Sequence, residues 1–356
     1  MPLIKGIDQP VRDFLADLPR VASAGICMVC DPRGIPDVLS NKRYAYMCLP
    51  DSPTGFTFLR ADLESRSGAP LAAPPAAVAG AYNTAIMAAE FVPLGTATEL
   101  VPCIYVIVAL TAAPWNQLME YNIRTDVWTV LTAIPGMAAA LNTSIDLVGT
   151  SGSMGIFDAL GPNIRNRFLY ISGDNTGGGG VGNLGGVVGT FSNIDQYNIV
   201  TNAHVLLTGA AGARGAAAGA GSKIVWGPNY PERLLSNRGG PSAIMDYYNL
   251  NGAAADAWVA TAPEPRINLD EGTELVTLYE APGWLAVRPG GNSNQIYGIE
   301  VGGLGYQNVC SIDDSPLPAA HASNALIAWW IAGGYYFGAI PYGRSVCKRI
   351  QVPMPL

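Results

Sequence analysis

Short apolar runs recur along this chain, each bounded by Gly, Pro, Asn, Asp or Ser. The clearest stretch is Tyr121–Gly136, YNIRTDVWTVLTAIPG. Its alternation predicts two strands, Met119–Ile123 and Val127–Leu131, joined by a polar turn. Lines of the same order return elsewhere. Tyr197–Thr208 (YNIVTNAHVLLT) matches Tyr121–Thr132 without a gap at Tyr, Asn, Ile, Thr, Leu and Thr. Tyr248–Pro263 repeats Tyr-Asn-apolar, a turn, Asp-x-Trp-Val and a closing proline. Phe14–Ala24 can be set against Val130–Ala140, and Phe58–Pro75 follows the same plan. Weaker copies lie at Ile296–Pro318 and Tyr335–Pro355.

The copies close near Pro19, Pro75, Pro135, Ala211, Pro263, Pro318 and Pro355, mostly about 50 to 60 residues apart. Another apolar run precedes each strand pair, so each unit supplies three or four short strands. A period of about 50 residues with four strands per unit is the pattern of a β-propeller. A single small sheet that is apolar on both faces cannot bury itself, whereas a ring of such sheets can.

The strand pair resembles the kelch repeat, in which a Tyr-Asp-x-x-Thr-x-x-Trp-x-x-Leu line ends one sheet and leads into the next. Tyr121, Asn122, Thr125, Trp128, Leu131 and Pro135 carry the resemblance, and Tyr248, Asn249, Trp258 and Pro263 carry it in a second unit. The Gly-Gly doublet of kelch units stands at Gly290-Gly291, Gly302-Gly303 and Gly333-Gly334. The resemblance implies an all-β propeller of about six (five to seven) four-stranded blades over residues 1–356. Val11–Leu18 would pair near Lys348–Val352 to close the ring. Trp128, Trp258, His204, Tyr121, Tyr197 and Tyr248 would pack between blades, His204 occupying the slot of Trp128.

Composition agrees with many turns: Gly 42 and Pro 27 occur without any collagen period. A net charge of −7, with only four lysines, leaves no electrostatic footprint for nucleic acid. No apolar run reaches membrane-spanning length, and the N-terminus lacks a signal-peptide core. The six cysteines are scattered. Cys27 and Cys30 form one C-x-x-C without a second pair or nearby histidines, which reads as buried thiols rather than a metal site. No cofactor and no metal are expected.

One motif suggests chemistry. Ile199–Leu206 (IVTNAHVL) looks like the histidine motif of trypsin-like serine proteases, with Asp256 placed to complete a triad. The G-x-S-G signature falls before the histidine, at Gly149–Gly152, which is the wrong order, and neither Ser293 nor Ser315 has the glycine frame of an oxyanion hole. Gly180–Gly185 fits G-x-G-x-x-G, but strand-like sequence follows it where a dinucleotide site needs a helix. Asp313 and Asp314 would face opposite sides of a strand. The expectation is therefore a protein without catalytic activity.

The texture resembles that of kelch-like propellers among bacteriophage virion proteins. It implies a head, collar or tail component, located in the virion and assembled in the host cytoplasm. Its partners would be other virion subunits in a symmetric homo- or hetero-oligomer, with neither nucleic acid nor membrane. The Gly-, Ser- and Ala-rich segments Asn142–Arg167, Asp174–Thr190 and Thr208–Ser222 would be loops gripping those neighbours. The alternatives are a trypsin-like protease using His204 and Asp256, and a cytoplasmic kelch-like module that binds a protein or a sugar.

Overall fold

The structure is a computed structural model. It describes residues 12–15 and 18–19, nearly all of 25–92 and 101–134, and from 145 onward the strands with a few residues beside them. Among these residues every regular element is a strand.

After β1 (Arg12–Leu15), the strands fall into six four-stranded antiparallel sheets. Sheet one holds β2 (Cys27–Cys30), β3 (Tyr44–Ser52), β4 (Gly55–Asp62) and β5 (Gly68–Pro70). Sheet two holds β6 (Tyr82–Val92), β7 (Cys103–Leu110), β8 (Asn116–Asn122) and β9 (Val127–Val130). Sheet three is β10 (Ile145–Val148), β11 (Phe168–Gly173), β12 (Ile194–Asn198) and β13 (Ala203–Leu207). Sheet four is β14 (Ile224–Trp226), β15 (Arg233–Asn237), β16 (Met245–Asn249) and β17 (Trp258–Thr261). Sheet five is β18 (Glu274–Thr277), β19 (Trp284–Arg288), β20 (Gln295–Glu300) and β21 (Tyr306–Ser311). Sheet six is β22 (Ala325–Ile331), β23 (Gly334–Ile340) and β24 (Cys347–Pro353), completed by β1.

The first strands touch in a cycle. β2 meets β6, β6 meets β10, β10 meets β14, β14 meets β18, β18 meets β22, and β22 returns to β2. These are the innermost strands of a ring of sheets, the arrangement of a β-propeller. Arg12 pairs with Arg349 and Asp13 with Lys348, so the N-terminal strand becomes the outer strand of the last sheet.

Period-two patterning explains the packing. All eight residues of β7 are buried. Cys103, Tyr105, Ile107 and Ala109 join a core shared with Leu169, Tyr197 and Ile199 of the third sheet and its hairpin. Ile104, Val106, Val108 and Leu110 join a core shared with Tyr46, Phe56 and Phe58 of sheet one. Alternate residues thus serve two neighbours, which is why the strand reads as a continuous apolar run.

Two sequence readings need correction. Asn142–Arg167 is not wholly loop, because β10 lies within it; the rest of that segment, all of Asp174–Thr190 and all of Thr208–Ser222 lie outside the described residues. The copy at Tyr335–Pro355 forms the second and third strands of its sheet rather than the third and fourth, because the chain's N-terminus supplies the fourth.

Candidate functional site

The sequence-derived residues come together as three equivalent pairs. Tyr121 is paired with Trp128, Tyr197 with His204, and Tyr248 with Trp258, each across the third and fourth strands of its sheet. In sheets two and three the pair belongs to a clasp on the preceding sheet. The Trp128 indole Nε1 donates to the Ala72 carbonyl at 2.9 Å, and its ring lies 4.9 Å from Phe58. His204 Nε2 lies 3.1 Å from the Thr132 carbonyl, and its ring sits 4.8 Å from Tyr197. Ala72 and Thr132 each fall two residues past the outer strand of the preceding sheet.

The sequence reading missed the third member of the clasp. Asp126 (φ 55°) and Asn202 (φ 50°) sit in the left-handed region, which Asx residues tolerate better than most others. The Asp126 carboxylate accepts the Tyr121 hydroxyl at 2.7 Å and the Ala72 amide at 2.9 Å. Asn202 Oδ1 accepts the Tyr197 hydroxyl at 3.0 Å and the Thr132 amide at 3.2 Å. Burial, then the hydrogen bond and charge of Asp126, push the Tyr121 hydroxyl far above its ordinary pKa. The available signal was the spacing: Asp126, Asn202 and Asp256 all precede their aromatic partner by two residues.

This geometry removes the protease role from His204. Bonding a carbonyl requires a proton on Nε2, so that nitrogen cannot act as the base that a triad places there. Asp256 lies outside the described residues, two positions before β17 of the next sheet. Tyr121, Trp128, Tyr197 and His204 join adjacent sheets, while the side chain of Trp258 lies outside the described residues. Cys27 and Cys30 face different cores, so the C-x-x-C does not converge on a metal. No cluster of metal-ligating side chains occurs among the described residues.

Chemistry-bearing side chains group instead at the inner rim, where β22, β2 and β6 are neighbours. Cys30 Sγ, at the end of β2, approaches the Ala328 carbonyl of β22 at 3.7 Å. The Asp31–Arg43 loop then presses on β22. A Cβ added to Gly34 (φ 66°) would stand 1.7 Å from the Trp330 carbonyl oxygen. Arg33 Nε and Nη2 donate to the two carboxylate oxygens of Asp31 at 2.9 and 2.7 Å. Burial first, then the charges of Asp31 and of Glu90 on β6, raise the Cys30 thiol well above its usual range. Half-buried Trp330 packs edge-on to Tyr335, with 5.0 Å between centroids. Asp37 braces the loop by accepting from the Ser40 hydroxyl at 2.7 Å, while its amide donates to the Lys42 carbonyl at 2.8 Å.

No protein-family model matches the chain, and neither does any curated protein sequence. Solved structures do resemble it. The fungal lectin of Aleuria aurantia, described as a six-bladed β-propeller with a fucose recognition mode, matches at TM-score 0.52 and 11% identity, over 95% of this chain and 97% of that one. The α-L-arabinofuranosidase of Fusarium graminearum, complexed with arabinobiose, matches at 0.52 and 9% identity, over 98% and 97%. The Penicillium chrysogenum α-L-arabinanase, also with arabinobiose, matches at 0.51 and 11%, over 98% and 97%. The chain is a β-propeller. The narrower kelch assignment has no family match behind it.

The expectation of a protein without catalytic activity is corrected by these neighbours, two of which are glycosidases on the same fold. Glycosidases work through paired carboxylates brought together in space, so a missing nucleophile motif in the sequence does not exclude them. Among the described residues no helix is long and apolar enough to cross a membrane.

Proposed function

We propose that the chain is a binding propeller that takes a saccharide at the inner rim formed by β22, β2 and β6. The Asp31–Arg33 ion pair at the end of β2, together with the Glu90 charge felt by Cys30, carries this reading. Carboxylates accept from sugar hydroxyls, and a guanidinium donates to their oxygens. The likeness to a fucose-recognising lectin and to two structures holding arabinobiose supports sugar as the ligand class. The six sheets are read as six blades. Nothing in the fold or the compared structures points to a virus particle.

The test is calorimetric titration with methyl fucoside and arabino-oligosaccharides. Intact protein should bind at least one of them, and Arg33→Ala and Glu90→Gln should weaken that binding at least tenfold with unchanged circular dichroism. Failure to bind any of the panel overturns the reading. Release of reducing sugar, lost in Glu90→Gln, would turn the rim from a binding site into an active site.

A second reading, a protein partner, rests on the Asp31–Arg43 loop. It is braced by hydrogen bonds yet leaves Leu39 74% and Ile35 48% exposed. Rigid presentation of apolar side chains suits a docking anchor. Leu39→Asp would abolish capture of such a partner and leave sugar binding intact.

A further inference from the structure

The two innermost strands of sheet one carry cysteines directly opposite each other. Cys27 on β2 pairs with Cys48 on β3, and both side chains pack into the core shared with sheet two. Opposed residues of an antiparallel pair have Cα atoms about 4.5 or 5.5 Å apart. Both distances fall inside the range of about 4.4–6.8 Å that a disulfide spans. Both cysteines are free; Cys48 is buried, while Cys27 is partly open to solvent. Among the described residues the other thiols point elsewhere: Cys30 to the Ala328 carbonyl, Cys103 to the Val101 carbonyl and Cys347 to Met28 Sδ.

We propose that Cys27 and Cys48 are a redox-modifiable site that closes into a reversible cross-strand disulfide by exchange with a low-molecular-weight disulfide such as oxidised glutathione. Cys27, the accessible partner, attacks as thiolate and breaks the glutathione S–S bond, releasing one glutathione and forming a mixed disulfide. Cys48 then loses its proton and attacks the Cys27 sulfur, displacing the second glutathione. Two protein thiols give up two electrons and two protons in total, and the oxidised glutathione takes both. The new bond ties together the two ends of the segment that carries the Asp31–Arg43 loop, so oxidation closes a covalent ring around the loop seated on Trp330. The site stands independently of the sugar reading, since neither thiol belongs to the rim grouping.

The experiment incubates the folded, full-length protein with graded ratios of oxidised to reduced glutathione, followed by acid quench, alkylation and peptide mapping. A linked Cys27–Cys48 peptide should dominate at oxidising ratios and disappear on reduction. In Cys48→Ser, and equally in Cys48→Ala if the serine variant folds poorly, glutathione should remain on Cys27. Wild-type protein that keeps glutathione on Cys27 without forming the linked peptide, or that links Cys27 to another cysteine, overturns the proposal. So does a Cys27 that stays unmodified throughout.

Discussion

Asp126 separates the hydrogen-bonding and backbone contributions to the inter-sheet clasp. Asp126→Ala removes the acceptor for the Tyr121 hydroxyl and the Ala72 amide. Asp126 is exposed, so each bond is taken at the neutral value of about 1 kcal/mol rather than the larger charged figure. Alanine at φ 55° adds about 1 kcal/mol of left-handed strain. The sum is about 3 kcal/mol. Asp126→Gly loses the bonds but escapes the strain, and should cost about 2 kcal/mol. Asp126→Asn installs the residue that sheet three uses at the equivalent position, Asn202, and should cost less than about 1 kcal/mol. Tyr121→Phe combined with Asp126→Ala should cost less than the two singles together, because they share one bond. Urea unfolding followed by tryptophan fluorescence reads all five variants, the Tyr121→Phe single included, provided the slope is unchanged. If Asn costs as much as Ala, or Gly costs more than Ala, hydrogen bonding is not what the residue contributes.

Other consequences are equally direct. Gly34→Ala sets a methyl group against the Trp330 carbonyl at a positive φ, so soluble, folded protein should be largely lost; a normal yield with an unchanged urea midpoint would refute the seating of that loop. Trp128→Ala should cost about 3 kcal/mol by urea titration, whereas His204→Ala should cost about 1 kcal/mol, the value of its bond to the Thr132 carbonyl. Burial raises the Asp62 carboxyl, but hydrogen bonds from Ser65, Lys42 and the amides of Glu64 and Ser65 outweigh it and hold the pKa at about 2, against an ordinary 3.8. Its contribution is therefore present above about pH 4 and lost as pH falls toward 2, and acid titration of Asp62→Asn should lack that component.

The repeat was legible because one joint is made more than once. A Tyr, an Asx and an aromatic at fixed spacing must recur wherever a sheet grips its predecessor in this way, and Tyr121–Thr132 and Tyr197–Thr208 preserve it without a gap. Two-sided burial was legible too, since β7 reads as a continuous apolar run. The role of Asp126 was hidden, because nothing in a turn's sequence says that its carboxylate reaches a backbone amide 54 residues away. The inner rim was hidden for the same reason. β2, β6 and β22 are far apart in sequence, and the ring alone makes them neighbours. β10 was missed because a four-residue strand among glycines and serines carries too little alternation to register.

The seam between the last and first sheets shows why the clasp cannot simply repeat around the ring. In sheet one, Ala61 and Gly68 occupy the register positions that hold Tyr121 and Trp128 in sheet two. Sheet one therefore has no aromatic with which to grip sheet six. The bulk comes from the other side. Fully buried Trp329 stacks on Tyr336 at 5.5 Å, and both pack against Ala45, Ala61 and Leu63. The Arg349 guanidinium lies 5.6 Å from the Tyr336 ring and donates to the Leu63 carbonyl. Small residues on one sheet thus accept large ones from its neighbour, and the contact runs in the opposite direction from the clasps at the second and third sheets. This reversal follows from the β4–β5 hairpin itself, which is continuous but, with Ala61 and Gly68 where sheet two has Tyr121 and Trp128, offers sheet six no ring. Aromatic and guanidinium side chains on β22, β23 and β24 reach across to sheet one in its place.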